Sequence, residues 1–175
     1  MTTCPNCGHE NIAGVDVCDE CETSLAYLSH PRGRTPLEQS ILKDPVKIIE
    51  PRPPFLVPQS MHVSEVLRRM VQWNVGCAMV VDDQQELVGV FTERDAVRRL
   101  GPDIETKADR PVREFMTTNP ATIEEDDRLA QALHKMDLGE YRHLPVLRRG
   151  RVVGLLSARD ILRYLADRLQ LEEVG

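Results

Sequence analysis

Two sets of residues in this 175-residue chain have types and spacings suited to chemistry. The first is Cys4-Pro-Asn-Cys7, ten intervening residues, then Cys18-Asp-Glu-Cys21. Each Cys-x-x-Cys unit puts two thiolates on one tight turn, so four sulfurs can close a tetrahedron around a single metal ion. Four protein ligands leave no open position, which makes the site structural. Zinc is the default occupant, and iron can take the same four thiolates. The alternatives are two disulfides or a dithiol redox pair. No secretion signal supports an oxidising compartment, and a redox motif needs only one pair, set in a βαβ unit that is absent here. With the shell complete, His9 is left as a surface polar residue.

The second set is a phrase written twice: Gly89-Val-Phe-Thr92-Glu-Arg-Asp95 and Gly154-Leu-Leu-Ser157-Ala-Arg-Asp160. Each copy places a hydroxyl, an arginine and a carboxylate at a strand-to-helix turn. Taken alone, Ser/Thr-x-x-Asp before an apolar helix is a capping box, with the hydroxyl accepting from a first-turn N–H and the acid reaching back. The two roles are compatible, because a capped helix start still presents N–H groups to an anion. A carboxylate can also accept hydrogen bonds from both neighbouring hydroxyls of a ribose, at roughly 1.5–3 kcal/mol for each charge-assisted bond. Asp95 and Asp160 are therefore ribose candidates. Thr92, Ser157 and the guanidinium groups of Arg94, Arg98, Arg159 and Arg163 are candidates for phosphate oxygens.

The elements that must position these groups are themselves duplicated. Residues 45–100 and 111–165 align at an offset of 66, which becomes 65 after one deletion in a hairpin. Each copy reads β-α-β-β-α, an α/β (α+β) pattern. Phe55-Leu-Val57 opens the first copy, and Val63, Val66, Leu67, Met70 and Val71 follow at helical spacing. Ala121-Thr-Ile123 opens the second, followed by Leu129, Ala132, Leu133 and Met136. The strands Cys77–Val81 with Leu87–Phe91, and Leu144–Leu147 with Val152–Leu156, are joined by polar stretches of hairpin length. A repeat of this size is marginal alone, so the copies should pack their sheets into one pseudo-two-fold body with a cleft between them. The expected layout is a metal-bound segment over 1–25, a linker over 26–44, copies over 45–100 and 111–167 with a connector over 101–110, and a tail over 168–175. Within the linker, His30-Pro-Arg-Gly-Arg-Thr-Pro36 reads as loop and Leu37–Lys43 as a short helix.

Pro111-Val-Arg-Glu-Phe-Met116 leading to Asn119-Pro120, Tyr141-Arg-His-Leu-Pro-Val146, and the two Gly-h-h-Ser/Thr-x-x-Asp phrases together resemble a tandem pair of cystathionine-β-synthase (CBS) domains, a Bateman module, over roughly residues 41–167. The resemblance implies a regulatory module in which the Asp holds the ribose, the Ser/Thr lies near ribose or phosphate, and adenine slots between apolar strands. The matching base positions are Ala121, Thr122, Leu144, Pro145 and Val146 in the second copy. In the first they are Phe55, Leu56 and Ala78 to Val80. It also implies a homodimer through helical faces. The cysteine segment resembles the short zinc-ribbon family over roughly residues 4–25.

The copies are unequally equipped. Arg142 and His143 precede the second copy's inner strand, where the first has Gly76 and Cys77. The Ser157/Asp160 site is therefore expected to be the stronger, with His143 either a phosphate contact or a surface histidine. Phe55, aligned with Ala121, either stacks on a base or fills its slot. Cys77 is expected to be a buried strand residue, and Trp73 a packing residue.

The formal charge is −6, with two basic against six acidic residues in positions 1–40 and near balance beyond. An acidic ribbon with Tyr27 as its nearby aromatic is a poor partner for phosphate backbones, so protein docking is favoured over a ribbon-led nucleic-acid regulator. The longest apolar runs fall far short of a bilayer span and the N-terminus lacks a signal pattern, so a cytoplasmic location is expected, with no membrane partner. Ser157, His143 and Asp160 match a hydrolase triad by residue type alone. The cap and ribose roles explain them with fewer assumptions, and no segment remains for a catalytic domain. The expected function is a sensor of AMP, ADP or ATP; S-adenosylmethionine or a dinucleotide would satisfy the same ribose logic.

Overall fold

The computed structural model describes residues 1–12, 15–25 and 35–173, with side chains from residue 170 onward left out. The His30-to-Arg34 part of the expected loop, Tyr27 and the last two residues of the expected tail lie outside the described residues. Two compact units are present. One comprises Met1–Pro51, Glu125–Arg142 and the chain from Ser157 onward; the other comprises Arg52–Glu124 and His143–Leu156.

The first unit begins with a two-stranded ribbon, β1 (Thr2–Thr3) and β2 (Glu10–Asn11), paired antiparallel. Helix α1 (Pro36–Lys43) starts on a complete capping box in which Thr35 and Glu38 exchange side-chain and backbone bonds, with Pro36 in the first turn. A 3-10 turn over Val46–Ile49 follows.

The second unit opens with β3 (Leu56–Pro58), then α2 (Val63–Gln72), whose Val63, Val66 and Met70 are buried on one face. Next come β4 (Cys77–Val81) and β5 (Leu87–Thr92). Five consecutive buried residues in β4 mark a central strand, and it lies parallel to β3 and antiparallel to β5. β5 passes into a single α-turn, α3 (Glu93–Asp95), which continues as a π-helix over Ala96–Leu100. The turn α4 (Ile104–Lys107) closes the first copy. In the expected connector this gives helical turns from Gly101 to Lys107.

The second copy supplies β6 (Thr117–Thr118), β7 (Ile123–Glu124), helix α5 (Leu129–Leu138), β8 (His143–Arg148), β9 (Arg151–Ser157) and helix α6 (Ala158–Glu173). The sheets run β3-β4-β5-β6 and β7-β8-β9. Pro145 is tolerated inside β8 because parallel pairing with β7 starts only at Val146, beyond the missing N–H. Helices α2 and α5 are both followed by a left-handed residue at aligned positions, Asn74 (φ 51°) and Glu140 (φ 52°).

Within the second unit the copies exchange edges. β6 precedes the second copy's own first strand yet pairs with β5 of the first copy, through Gly89↔Thr118 and Val90↔Thr117. Reciprocally, Arg52 of the first copy and Leu155 of β9 exchange both backbone bonds, at 3.2 and 2.9 Å. Each copy thereby satisfies backbone groups that the other would leave exposed. The core under the first copy's sheet is built from Phe55, Val57, Val63, Val66, Met70, Ala78, Val80, Phe91 and Leu100, joined by Val112 and Phe115 from the start of the second copy.

The β5–β6 pairing requires close approach at Gly89. A Cβ there would stand 2.5 Å from Met116 Sδ and 2.9 Å from the Thr117 carbonyl oxygen. Backbone cannot yield as a side-chain tip can. Gly89→Ala is therefore expected to destabilise the chain by about 1–3 kcal/mol, read as a lower urea midpoint.

In the first unit, α1 is clasped to α6. Tyr164 donates to Asp44 Oδ2 at 2.6 Å, Arg168 donates to the same oxygen at 3.0 Å and to Ser40 Oγ at 2.7 Å, and the Arg168 guanidinium stacks 4.9 Å from the Tyr164 ring centroid. Burial, and then the bond to Asp44, push the Tyr164 phenol up to about 12. The folded chain therefore keeps this proton where an unfolded tyrosine, with a pKa near 10, has lost it. The stabilisation is complete below about pH 10 and declines as pH rises toward 12. Ultraviolet titration should show one late phenolate transition, absent from Tyr164→Phe.

Candidate functional site

The four cysteines converge. Sγ atoms of Cys4, Cys7, Cys18 and Cys21 all lie within 4.8 Å of one another, with Cys4–Cys21 and Cys7–Cys18 each at 3.6 Å. A tetrahedron with metal–sulfur bonds of about 2.3 Å has edges of about 3.8 Å, so these sulfurs are spaced to hold one ion. Both turns are built alike. Gly8 N–H donates to the Cys4 carbonyl and Glu22 N–H to the Cys18 carbonyl, each at 2.9 Å, and both residues are left-handed at φ 76° and 55°. Outer partners fix the ligands. Buried Asn11 donates to Cys18 Sγ at 3.5 Å and to the His9 carbonyl at 3.0 Å, and accepts from Asp19 N–H at 3.0 Å. Asn6 donates to Cys21 Sγ at 3.6 Å, and hydrogen bonding with Thr23, whose Oγ1 is 3.2 Å away, holds the Cys21 thiol down at about 6. His9 is exposed and contributes its carbonyl, which accepts from Cys4 N–H.

Both phrases form capping boxes. Asp95 N–H donates to Thr92 Oγ1 at 3.2 Å, while Asp95 Oδ2 accepts from Thr92 N–H at 3.0 Å and from its hydroxyl at 2.6 Å. Asp160 N–H donates to Ser157 Oγ at 3.3 Å, and Asp160 Oδ2 accepts from Ser157 N–H at 3.0 Å and from its hydroxyl. The carboxylates are 8% and 3% exposed, so each sits in a site where unmatched charge would be costly.

The second oxygens differ. Asp95 Oδ1 accepts from the Thr117 hydroxyl at 3.1 Å and meets Arg99 Nε at 3.3 Å. Asp160 Oδ1 faces Arg163 at 3.5 Å. Sequence reasoning named Arg94 and Arg98 but missed Arg99 and Thr117. Arg99 adjoins a named arginine, but Thr117 is 22 residues from Asp95, with no local signal.

The remaining predicted residues lie as follows. Arg94 and Arg159 are exposed on the first turns of their helices. Arg142 is exposed, and its carbonyl accepts from Ala158 N–H at 2.9 Å. Leu144 and Pro145 are buried in β8, while Ala121 and Thr122 are half-buried just before β7. His143 lies beside the first copy: a Cβ added at Gly76 would be 3.2 Å from both His143 Nε2 and Glu93 Oε2. Phe55 is 5% exposed and meets Trp73 edge-on, with ring centroids 4.9 Å apart. The bare Gly76 thus leaves space beside the imidazole, and Phe55 packs into the core of its own copy. Cys77 is fully buried, and burial followed by the charge of Asp95 pushes its thiol up to about 12.

A doubled β-α-β-β-α unit with paired capping phrases defines the class, and the comparisons agree. The chain matches the CBS domain family over residues 47–102 and 112–167. It belongs to that family, as a tandem CBS pair carrying a four-cysteine metal-binding cluster of zinc-ribbon type. It is 32% identical over 65% of its length to a 17.7 kDa protein of Acidianus ambivalens, spanning 68% of that protein. It is 30% identical over 85% of its length to the Arabidopsis thaliana protein CBSCBSPB1, of which it spans only 26%. Among solved structures, a conserved protein from Pyrococcus horikoshii superposes with a TM-score of 0.63 at 30% identity, covering 70% of this chain and 92% of the other. A CBS domain protein from Pyrobaculum aerophilum complexed with AMP gives 0.62 at 28% identity, covering 70% and 98%. The CBS pair of protein MJ0100, complexed with 5′-methylthioadenosine and S-adenosyl-L-methionine, gives 0.64 at 26%, covering 71% and 97%. CBS pairs are regulatory modules. No helix among the described residues is long and apolar enough to cross a membrane.

Proposed function

We propose that the chain is a regulatory sensor of an adenine nucleotide, AMP, ADP or ATP, that reports through its ribbon or through a homodimer partner met by CBS helices. The observation that carries this reading is the twice-written phrase, which plants a buried carboxylate, a hydroxyl and an arginine at the start of a helix. Asp160 is assigned to the ribose hydroxyls, and Ser157, Arg159, Arg142 and His143 to phosphate. Ala121, Thr122, Leu144 and Pro145 are assigned to the base by resemblance to the family. Thr92, Arg94 and Asp95 are their counterparts in the first copy. The complexes of similar CBS pairs with AMP and with S-adenosyl-L-methionine support an adenosyl ligand.

Zinc is the proposed ion in the ribbon. The acidic charge of the first 40 residues favours a protein partner there. Nucleotide binding would act by favouring one arrangement of the repeats over another. The test is calorimetry of the metal-loaded chain with AMP, ADP, ATP, S-adenosylmethionine and NADH. A nucleotide that binds identifies the signal, and failure of all five removes the reading.

A further inference from the structure

The four thiolates of the cysteine cluster are not equivalent toward solvent. Cys4 and Cys18 are each 1% exposed and Cys21 is half-buried, whereas Cys7 is exposed. Space is open beside it, because a Cβ added at the next residue, Gly8, would meet nothing within 4 Å. Hydrogen bonding differs in the same sense. Cys18 Sγ accepts from the Asn11 amide at 3.5 Å and Cys21 Sγ from the Asn6 amide at 3.6 Å, whereas the partner of Cys7 outside the cluster is the backbone of His9. Metal binding deprotonates all four alike, so access and nucleophilicity decide which sulfur an electrophile meets. Donors that stabilise a thiolate lower its nucleophilicity, and Cys7 carries fewer of them than Cys18 or Cys21. A second sulfur stands ready beside it: Cys18 Sγ, on the other turn, is 3.6 Å from Cys7 Sγ.

We propose that Cys7 is an oxidation site for a neutral hydroperoxide, and that Cys18 resolves it to a disulfide that ejects the metal. The inference rests on the cluster holding an ion and is independent of the adenosyl reading. The Cys7 thiolate attacks the terminal oxygen of the hydroperoxide; an S–O bond forms as the O–O bond breaks, and the departing oxyanion takes a proton from solvent. The Cys18 thiolate then attacks the sulfenic sulfur, an S–S bond forms, and hydroxide leaves to become water. Each sulfur has given up one electron, and the O–O bond has taken both. An uncharged oxidant is favoured because the ribbon exposes Glu10, Asp16, Asp19, Glu20 and Glu22, and no Lys or Arg precedes Arg32. The disulfide removes one ligand from each turn and leaves Cys4 and Cys21, half of the shell. Two of the three buried residues in the ribbon core are ligands, so the segment loses its fold with the ion. Oxidation thereby switches off whatever the folded ribbon docks.

The test uses the zinc-loaded full chain and hydrogen peroxide, with zinc release read by a chromophoric chelator. A cyclic 1,3-diketone present during the reaction traps sulfenic acid, and should place at least about tenfold more label on Cys7 than on any other ligand. Without the trap, peptide mapping should show Cys7 joined to Cys18, zinc released in step with the disulfide, and fully buried Cys77 still a free thiol. The amide dispersion of residues 1–25 should be lost, and should return on adding a thiol reductant with zinc. First labelling at Cys4, Cys18 or Cys21, a disulfide within Cys4–Cys7 or Cys18–Cys21, or zinc retained by a chain whose Cys77 has been oxidised overturns the inference while leaving the cluster a metal site. A chain that takes up no zinc overturns the metal site, and the inference with it. Every measurement is on the wild-type chain, so failure of a variant to fold cannot imitate either result.

Discussion

Stripping the metal from the cysteine cluster is expected to unfold residues 1–25 and leave the CBS repeats folded. The apolar core of this segment consists of Cys4, Cys18 and Leu25, with Val15 and Cys21 packed against it, and two of the three buried members are themselves metal ligands. Its sheet is two strands of two residues each. So little buried area cannot offset the backbone entropy of ordering the turns, at roughly 1–2 kcal/mol per residue. Metal coordination must supply the difference, and structural zinc in peptides of this kind contributes about 10–16 kcal/mol. Asn11 depends on the same site, because its amide bridges Cys18 and the His9 carbonyl and would lose its geometry with the ion. A strong chelator, or Cys18→Ser, should therefore collapse the amide dispersion of residues 1–25. The repeats draw on their own core around Phe91 and Val57, so their melting temperature should move by no more than a few degrees. Retained dispersion in the metal-free chain would show that the segment folds on contacts alone. Elemental analysis of the same sample decides between zinc and iron.

The second large effect concerns Asp160. If this carboxylate accepts both ribose hydroxyls, Asp160→Ala removes two charge-assisted hydrogen bonds of about 1.5–3 kcal/mol each. At about 1.4 kcal/mol per decade, AMP affinity should fall by roughly 10²- to 10⁴-fold. The substitution also removes half of the box with Ser157, at a cost to stability of about 1 kcal/mol. Ser157→Ala separates the two contributions, because it damages the cap while keeping the carboxylate. It should lower stability comparably but AMP affinity far less. Equal affinity in wild type and Asp160→Ala would show that the phrase is a cap and nothing more.

The asymmetry of the copies gives these results their regulatory sense. Helix α6 carries Asp160 in its first turn and, further along, Tyr164 and Arg168, which hold Asp44 and Ser40 at the end of α1. The corresponding helix of the first copy breaks into a π-turn and short helical turns instead. One copy is thus tied to the segment between ribbon and repeats, and the other to its own carboxylate.

The cysteine ligands, the doubling and both Ser/Thr-x-x-Asp phrases were determined by sequence alone, because each depends on residues within a few positions of one another. A Cys-x-x-Cys turn or a capping box closes through local backbone geometry, so its chemistry can be read without knowing the fold. The helix over Pro36–Lys43 was legible for the same reason, from Thr35 and Glu38. Only the tertiary structure could place Thr117 and Arg99 on Asp95, His143 against Gly76, and Tyr164 on Asp44 across 120 residues. The Thr117 contact follows from the edge exchange of β6 with β5, which is set by backbone hydrogen bonding and not by any local pattern of side chains. The sequence therefore determined which groups exist twice. The fold decided that the two carboxylates meet different partners, because non-local pairing brings different donors to each.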